Sequence, residues 1–353
     1  MKIAVVSCYD QTEYIRARIL RKAFAAVPGA EAIIVKNTHK GLLRYLESPW
    51  KILKCAILQR PDAYVLLFRG YEMLPLLLLL KGRKPLIFDD LVNPVEYLYE
   101  HKRMTPGSAK DKIFRPLYSW MLRRCRIILA DTESHIQYAS KVCNVDVNRY
   151  RLIPISTDES VFYPRKKKVA DPKTFNVFFY GSYLPLHGVN HILEAAVMLA
   201  DNPRITFSLG GCKGKGYEAY EAAIAKGARI TYKGWFTLDE IATDASNAGL
   251  TLAGPFGDTL QGQMVFTTKT FQFLACGAPI VLGESKISGN FKDKENCLLV
   301  PQGNSRAIAD AILWASEHPK ELAQIAKNGR KLYEKDFSQD LINKEIAKIV
   351  EGL

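Results

Sequence analysis

The chain has 353 residues, of which 48% are apolar and 24% charged. That is a globular composition, and it excludes wholesale disorder, collagen and coiled coil; the length suits two domains. Lysine and arginine outnumber the acids by 49 to 36, unevenly: residues 1–164 hold 26 basic and 16 acidic groups, residues 165–353 hold 23 and 20. The first half therefore suits an anionic partner such as lipid headgroups, phosphorylated substrates or nucleic acid, with solubility as the plain alternative. Seven cysteines without Cys-x-x-Cys spacing argue against a disulfide framework or a thiolate zinc site and fit a reducing cytoplasm. MKIAVVS lacks a small-residue cleavage site, so no signal peptide is expected. The longest apolar run, Met73 to Leu80, contains Pro75 and falls far short of the roughly 20 residues that span a bilayer.

Short apolar runs alternate with amphipathic helical patterns. Residues 2–7 read as a buried strand and 12–27 as a helix with Ile15, Ile19, Ala23 and Phe24 on one face. Strands follow at 32–36, 64–68, 85–88 (ending in Asp89-Asp90) and 126–130 (ending in Asp131-Thr132). Residues 151–168, with two prolines and the basic run Arg165–Lys168, read as a link between domains 1–164 and 165–353. Beyond it come strands at 174–180, 204–209, 230–232, 250–253 and 280–282. Helices are expected at 191–200, after the capping box Thr237-Leu238-Asp239-Glu240, at 269–276, and from Arg306 to the end, where the last helix can pack back on the first domain. The expected fold is α/β, with two doubly wound Rossmann-like domains and an interdomain cleft as the default active site.

Three loops of the second half suit a phosphate-bearing ligand. In Gly181-Ser182-Tyr183-Leu184-Pro185-Leu186-His187-Gly188, glycine allows close approach, the following helix offers free N–H groups, and His187 can hydrogen-bond or charge-pair with phosphate; a simple turn is the alternative. Phe256-Gly257 leads to a helix opening with Lys269-Thr270. A cation there opposes the helix dipole, which points to a nearby anion. Gln272, one turn in, can meet sugar hydroxyls or be an exposed helix residue. Gly234-Trp235-Phe236 can hold a flat base, or Trp235 can cap the core. His187 and His191 have i, i+4 spacing without a third ligand, so no metal is expected.

From Phe175 to Pro301 the order and spacing resemble the retaining, nucleotide-sugar-dependent glycosyltransferases of family 4. The family's glycine strand end, followed by Lys-Gly and a helix, reads GSYLPLHGVNHILEAA here, with His187 in the lysine's place. Its glycine-aromatic strand end reads YKGW, and its Glu-x7-Glu segment reads MVFTTKTFQFLACGAPIV, with Met264 and Gln272 at the two glutamates. The resemblance implies a GT-B fold, no cofactor, and a UDP-, GDP-, ADP- or dTDP-sugar as co-substrate. It implies donor contacts from Gly181, Ser182, Tyr183, His187, Gly211, Gly234, Trp235, Phe236, Phe256, Gly257, Lys269, Thr270 and Gln272. With the acid pair absent and the usual diphosphate clamp altered to Ser182 and His187, Lys269 is the candidate for the missing charge.

The expected reaction is retaining sugar transfer to a hydroxyl acceptor, in cell-surface glycan or glycolipid assembly. Fixed donors stabilise the departing diphosphate, and His187 is a catalytic candidate. Asp89 and Asp90 can hold or polarise the acceptor hydroxyl, or cap the following loop. Tyr9 and Arg16 are acceptor-binding candidates, Arg16 for an acceptor phosphate, with a surface salt bridge as its alternative. The rivals are a GT-B nucleotide-sugar epimerase and a non-catalytic nucleotide-sugar-binding module. Trp50 to Arg60 and Lys110 to Arg126 mix basic and apolar residues. They read either as helices lying on an anionic membrane surface or as buried amphipathic helices with basic outer faces, so the expected location is cytoplasmic or peripheral on the inner face of the membrane. No aromatic-basic motif supports a nucleic-acid partner.

Overall fold

A computed structural model describes residues 1–9, 14–166, 173–211 and 214–353. Thr12 and Glu13 of the first expected helix, Lys167 and Lys168 of the basic run, and Cys212 lie outside the described residues. The chain divides into two compact units, Met1–Ser156 with Gln339–Leu353, and Thr157–Ser338.

The first unit runs β1 (Lys2–Ser7), α1 (Ile15–Ala25), β2 (Glu31–Lys36), α2 (Arg44–Leu58), β3 (Ala63–Leu66), α3 (Leu74–Leu80), β4 (Leu86–Asp89), α4 (Pro94–Glu100), α5 (Ala109–Leu122), β5 (Ile127–Ala130), α6 (Glu133–Cys143) and β6 (Tyr150–Leu152). Its six parallel strands lie in the order β2-β1-β3-β4-β5-β6. Strands covered on both faces read as unbroken apolar runs, as VLL and LIF do here. Side chains alternate across the sheet. Ile3, Val5, Val65 and Ile87 pack against α1 and the helix Gln339–Glu351, which supplies Ile342, Ile346 and Ile349. Ala4, Val6, Leu66 and Phe88 pack against α2, α3, α5 and α6.

The second unit runs β7 (Phe175–Tyr180), α7 (Val189–Met198), β8 (Ile205–Gly210), α8 (Lys215–Ala225), β9 (Ile230–Tyr232), α9 (Leu238–Asn247), β10 (Leu250–Leu252), α10 (Thr268–Ala275), β11 (Ile280–Glu284), β12 (Leu298–Pro301), α11 (Ser305–Glu317) and α12 (Pro319–Asp336). Its strands are also parallel, in the order β12-β11-β10-β7-β8-β9. The capping box forms at α9, where Thr237 Oγ1 accepts from the Glu240 N–H and Glu240 accepts from the Thr237 N–H at 2.7 Å.

Several elements depart from the expectation. Arg151 and Leu152, placed in the link, belong to the edge strand Tyr150–Leu152 beside β5. The terminal helix expected from Arg306 is broken twice, at Pro319 and around Phe337-Ser338, and its last piece is α13 (Gln339–Glu351). Strand β12 and helices α3, α4, α6 and α8 were not individually assigned. The four residues of β12 give no measurable period, and the four alanines of α8 blunt its apolar face.

Candidate active site

In a doubly wound sheet the ligand crevice opens where neighbouring strands send their connections to opposite faces. In the second unit that point lies between β7 and β10, and the loop after each is rich in glycine.

The chain leaves β7 at Gly181, whose N–H donates to the Gly210 carbonyl at 2.9 Å. A Cβ on Gly181 would stand 3.0 Å from Phe179 Cζ, 3.2 Å from His187 Nδ1 and 3.3 Å from Lys269 Nζ. A Cβ on Gly211, at φ +97°, would lie 2.8 Å from the Gly181 nitrogen, and one on Gly210 would lie 2.6 Å from the Gly234 carbonyl oxygen. The ends of β7, β8 and β9 thus meet backbone to backbone, and the Gly211 N–H donates to Gly234 at 2.7 Å. The loop after β10 is locked to the loop after β7 in the same way. The Cβ position of Gly257 falls 1.9 Å from the Pro185 carbonyl oxygen, and its N–H donates to Leu186 at 3.0 Å.

Lys269 reaches this floor from the first turn of α10 and is 4% exposed. Burial pushes its ammonium down to about 7, and no carboxylate contributes to the shift. The Phe179 and Tyr180 rings, with centroids 5.2 and 5.8 Å from Nζ, give it weak cation–π support. Neither α7 nor α10 has a side-chain N-cap or an acid in its first turn. The Thr267 hydroxyl at the α10 start donates instead to the Ala253 carbonyl at 2.7 Å. Two open helix starts and a buried amine without a carboxylate make a strongly anion-seeking site.

His187 Nδ1 lies 2.7 Å from the Ser182 carbonyl oxygen. A carbonyl can only accept, so Nδ1 carries the proton. Burial, reinforced by Lys269, lowers the ring's pKa to about 3. His187 is therefore neutral, with a lone pair on Nε2. Of the two expected roles, hydrogen bonding suits this neutral ring, which offers an acceptor at Nε2.

Gln272 is buried rather than exposed, and its Oε1 accepts from the Tyr180 hydroxyl. Met264, at the other substituted position, is also buried. Trp235 does not cap the core: it is 62% exposed, while Phe236 packs edge-on against Phe178 with centroids 5.5 Å apart. Phe256 is fully buried in the core, so its side chain is withdrawn from any ligand. Tyr183 is exposed and donates to Asn190. The Thr270 hydroxyl is buried without a hydrogen-bond partner. Gly181, Gly211, Gly234, Gly257, His187, Lys269 and Gln272 thus come together through β7, the glycine loops and α10, with Ser182 joined to His187.

The first unit carries its own strand-end cluster. Its order reverses between β1 and β3. There Tyr9 packs edge-on against Phe68 and Tyr14, with centroids 5.7 and 5.9 Å apart, and the Arg69 guanidinium lies 5.4 Å from the Tyr9 ring centroid. Arg16 is no surface residue. Its Nη2 donates to Asp89 at 3.0 Å, and its Nη1 donates to the Ile153 and Pro154 carbonyls at 2.7 and 2.9 Å. Asp89 also accepts from the Phe68 N–H at 3.2 Å, and burial outweighs the Arg16 pull to raise its carboxyl above the usual range. Asp90, pushed up to about 7 by burial, accepts from the Tyr118 hydroxyl at 2.7 Å and from Asn93 at 2.9 Å. Both carboxylates are buried and engaged, and Arg16 gives its hydrogen bonds to Asp89 and to main-chain carbonyls.

Beside them His135 lies between two buried carboxylates, Nδ1 at 2.9 Å from Asp131 and Nε2 at 3.1 Å from Glu96. Hydrogen bonding to both raises its pKa well above the ordinary value against the opposing effect of burial. Asp131 and His135 have i, i+4 spacing on paper; Glu96 arrives from α4 with no local signal. Among the described residues no group of three or more His, Cys, Asp and Glu side chains could hold a metal ion. The six described cysteines, all but Cys212, are buried.

Residues 190–345 match the family model described as "Glycosyl transferase-like". No curated protein sequence matches the chain. Among solved structures, it is similar to a sucrose-phosphate synthase from Thermosynechococcus elongatus, at 16% identity over 100% of this chain and 98% of that one, with TM-score 0.76. It is similar to Anabaena HepE, solved with UDP-glucose, at 16% identity over the whole of both chains, TM-score 0.73. A glycosyltransferase from Rickettsia africae aligns at 12% identity over 99% of this chain and 97% of that one, TM-score 0.72. At these identities the likeness establishes the fold, which is GT-B. The family match itself spans less than half of the chain.

Proposed function

We propose that the protein transfers a sugar from a nucleotide-sugar donor, held by the second unit, to a hydroxyl of an acceptor recognised by the first. The supporting observation is the Lys269 amine, buried beside the Gly181 turn with no carboxylate to offset it. Burying an amine without a counter-charge carries a cost that a bound diphosphate removes. The diphosphate lies along Gly181, Gly211 and the α10 start. The base lies towards Gly234, Trp235 and Phe236, and the ribose by Gln272. HepE, solved with UDP-glucose, makes a UDP-sugar the first donor to test.

Transfer proceeds with retention. The anomeric carbon–phosphate oxygen bond breaks, the acceptor oxygen bonds to the same face, and its proton passes to the departing phosphate. Lys269 and the helix starts stabilise the charge that develops, and His187 Nε2 accepts from a sugar hydroxyl. The acceptor meets Tyr9, Tyr14, Phe68 and Arg69, while Arg16 and Asp89 hold that strand end in place. The acceptor class is a lipid-linked or growing surface glycan, and the protein works in the cytoplasm at the membrane face.

A thermal-shift panel of UDP, GDP, ADP and dTDP tests the donor site, since a ligand of the folded state raises its melting point. Lys269→Ala is expected to abolish the shift and Lys320→Ala to preserve it. No shift with any nucleotide rejects the reading. Binding without sugar transfer to any acceptor favours a non-catalytic module.

A further inference from the structure

Helix α2 has two apolar faces where a surface helix needs one. Ser48, Ile52 and Cys55 face the sheet and are buried. On the opposite side Leu43, Leu46, Trp50, Leu53 and Ile57 recur at intervals of three and four, which sets them in one stripe. All five are exposed, Leu46 at 75% and Trp50 at 66%. Helix α5 repeats the arrangement. Tyr118 and Leu122 are buried, whereas Ile113, Leu117 and Trp120 form an exposed stripe, Ile113 at 72%. Helix α3 packs against both α2 and α5 in the same layer and exposes Leu79.

Charge identifies the occupant. Residues 40–60, 74–84 and 109–126 hold fourteen lysines and arginines and two carboxylates, Glu47 and Asp111. Both carboxylates are ion-paired, to Lys51 and Arg115. The Arg124 guanidinium lies over the Trp120 ring, 3.8 Å from its centroid, so the α5 stripe ends in a cation. A second copy of the chain on this face would oppose like charges. Among the described residues no helix is long and apolar enough to cross a membrane. Apolar stripes bordered by cations, with indoles in each, match the boundary between acyl chains and anionic headgroups.

We propose that the outer faces of α2, α3 and α5 dock on an anionic lipid bilayer. This deepens the reading above, and rests on it, only in placing the first unit where a lipid-linked acceptor is held. The test is sedimentation of the full chain with phosphatidylcholine vesicles, with and without phosphatidylglycerol, alongside tryptophan fluorescence. The wild type is expected to sediment with anionic vesicles alone, to release with added salt, and to show a blue-shifted emission. Trp50→Glu and Leu46→Glu, both at exposed positions, are expected to lower partitioning by about tenfold or more with an unchanged melting point. Equal recovery with neutral and anionic vesicles overturns the proposal. So does unchanged binding by both variants, or a self-associated species that Leu46→Glu dissociates without any vesicle binding. The nucleotide-induced melting shift is measured on the same samples. Its absence sinks the donor reading without touching the vesicle result.

Discussion

The Lys269 ammonium and Gly181 stand so close that a methyl group on the glycine would sit 3.3 Å from Nζ. Substitution here meets side-chain atoms only, none nearer than 3.0 Å, whereas at Gly257 it meets the fixed Pro185 carbonyl oxygen at 1.9 Å. Gly181→Ala is therefore expected to fold with a loss of no more than about 1 kcal/mol and to bind nucleotide about tenfold more weakly. Gly257→Ala is expected to lose about 1–3 kcal/mol of stability. Chemical denaturation and calorimetric titration with UDP separate the two effects.

Lys269 also makes a pH-dependent contribution. Its folded-state pKa of about 7 lies below its ordinary 10.5, so between these values the unfolded chain binds the extra proton and stability rises with pH. The penalty is complete below about 7 and gone above about 10.5. Lys269→Met is expected to be more stable than wild type at pH 6, to lose that advantage towards pH 10, and to bind nucleotide poorly throughout. Denaturation midpoints across this range, with UDP titrations at each end, provide the measurement.

Arg16→Met strands Asp89 as a buried carboxylate. A loss of about 3–5 kcal/mol is expected, with part recovered in the double variant Arg16→Met/Asp89→Asn. A melting-point series checks this. An Arg16→Met protein of full stability that had lost transfer alone would return Arg16 to the acceptor.

Asp90 has the opposite pH signature. Its pKa of about 7 lies above its ordinary 3.8. The stability it contributes is therefore full below about 4 and lost as pH rises through 7. Its surroundings are His135, Tyr118, Asn93 and Glu96. Asp90→Asn is expected to flatten the fall in stability between pH 4 and 7 by about 2–4 kcal/mol, read from urea midpoints.

His135→Gln removes the cation between Glu96 and Asp131. A loss of about 3–5 kcal/mol at neutral pH is expected, shrinking in acid as the carboxylates protonate. Nucleotide affinity of the folded variant is expected to match wild type, because the cluster belongs to the first unit and the donor loops to the second.

Much of this architecture was legible because strands buried on both faces read as plain apolar runs, as in KIAVVS and FNVFFY. The edge strand Tyr150–Leu152 escaped because two of its three residues are exposed and pairing alone defines it. Lys269 announced itself through its conflict with a helix start. Gln272 was a candidate as well, but its burial was not legible, since that comes from Tyr180 and the surrounding core rather than from its own neighbours in sequence. The Glu96–His135–Asp131 cluster was hidden because helix α4 brings its first member from far upstream. Arg16 reads in sequence as an acceptor-phosphate ligand or a surface salt bridge, because the carbonyls of Ile153 and Pro154 that accept from it lie far along the chain.

The return of α13 to the first sheet orders the protein's biosynthesis. A ribosome releases β1 and α1 early, yet Ile342, Ile346 and Ile349, which complete their packing, emerge more than three hundred residues later. Throughout that interval the nascent first unit exposes an unfinished apolar surface, while residues 157–338 already form a continuous segment able to fold as they appear. The half of the molecule that is made first is thus the half that matures last.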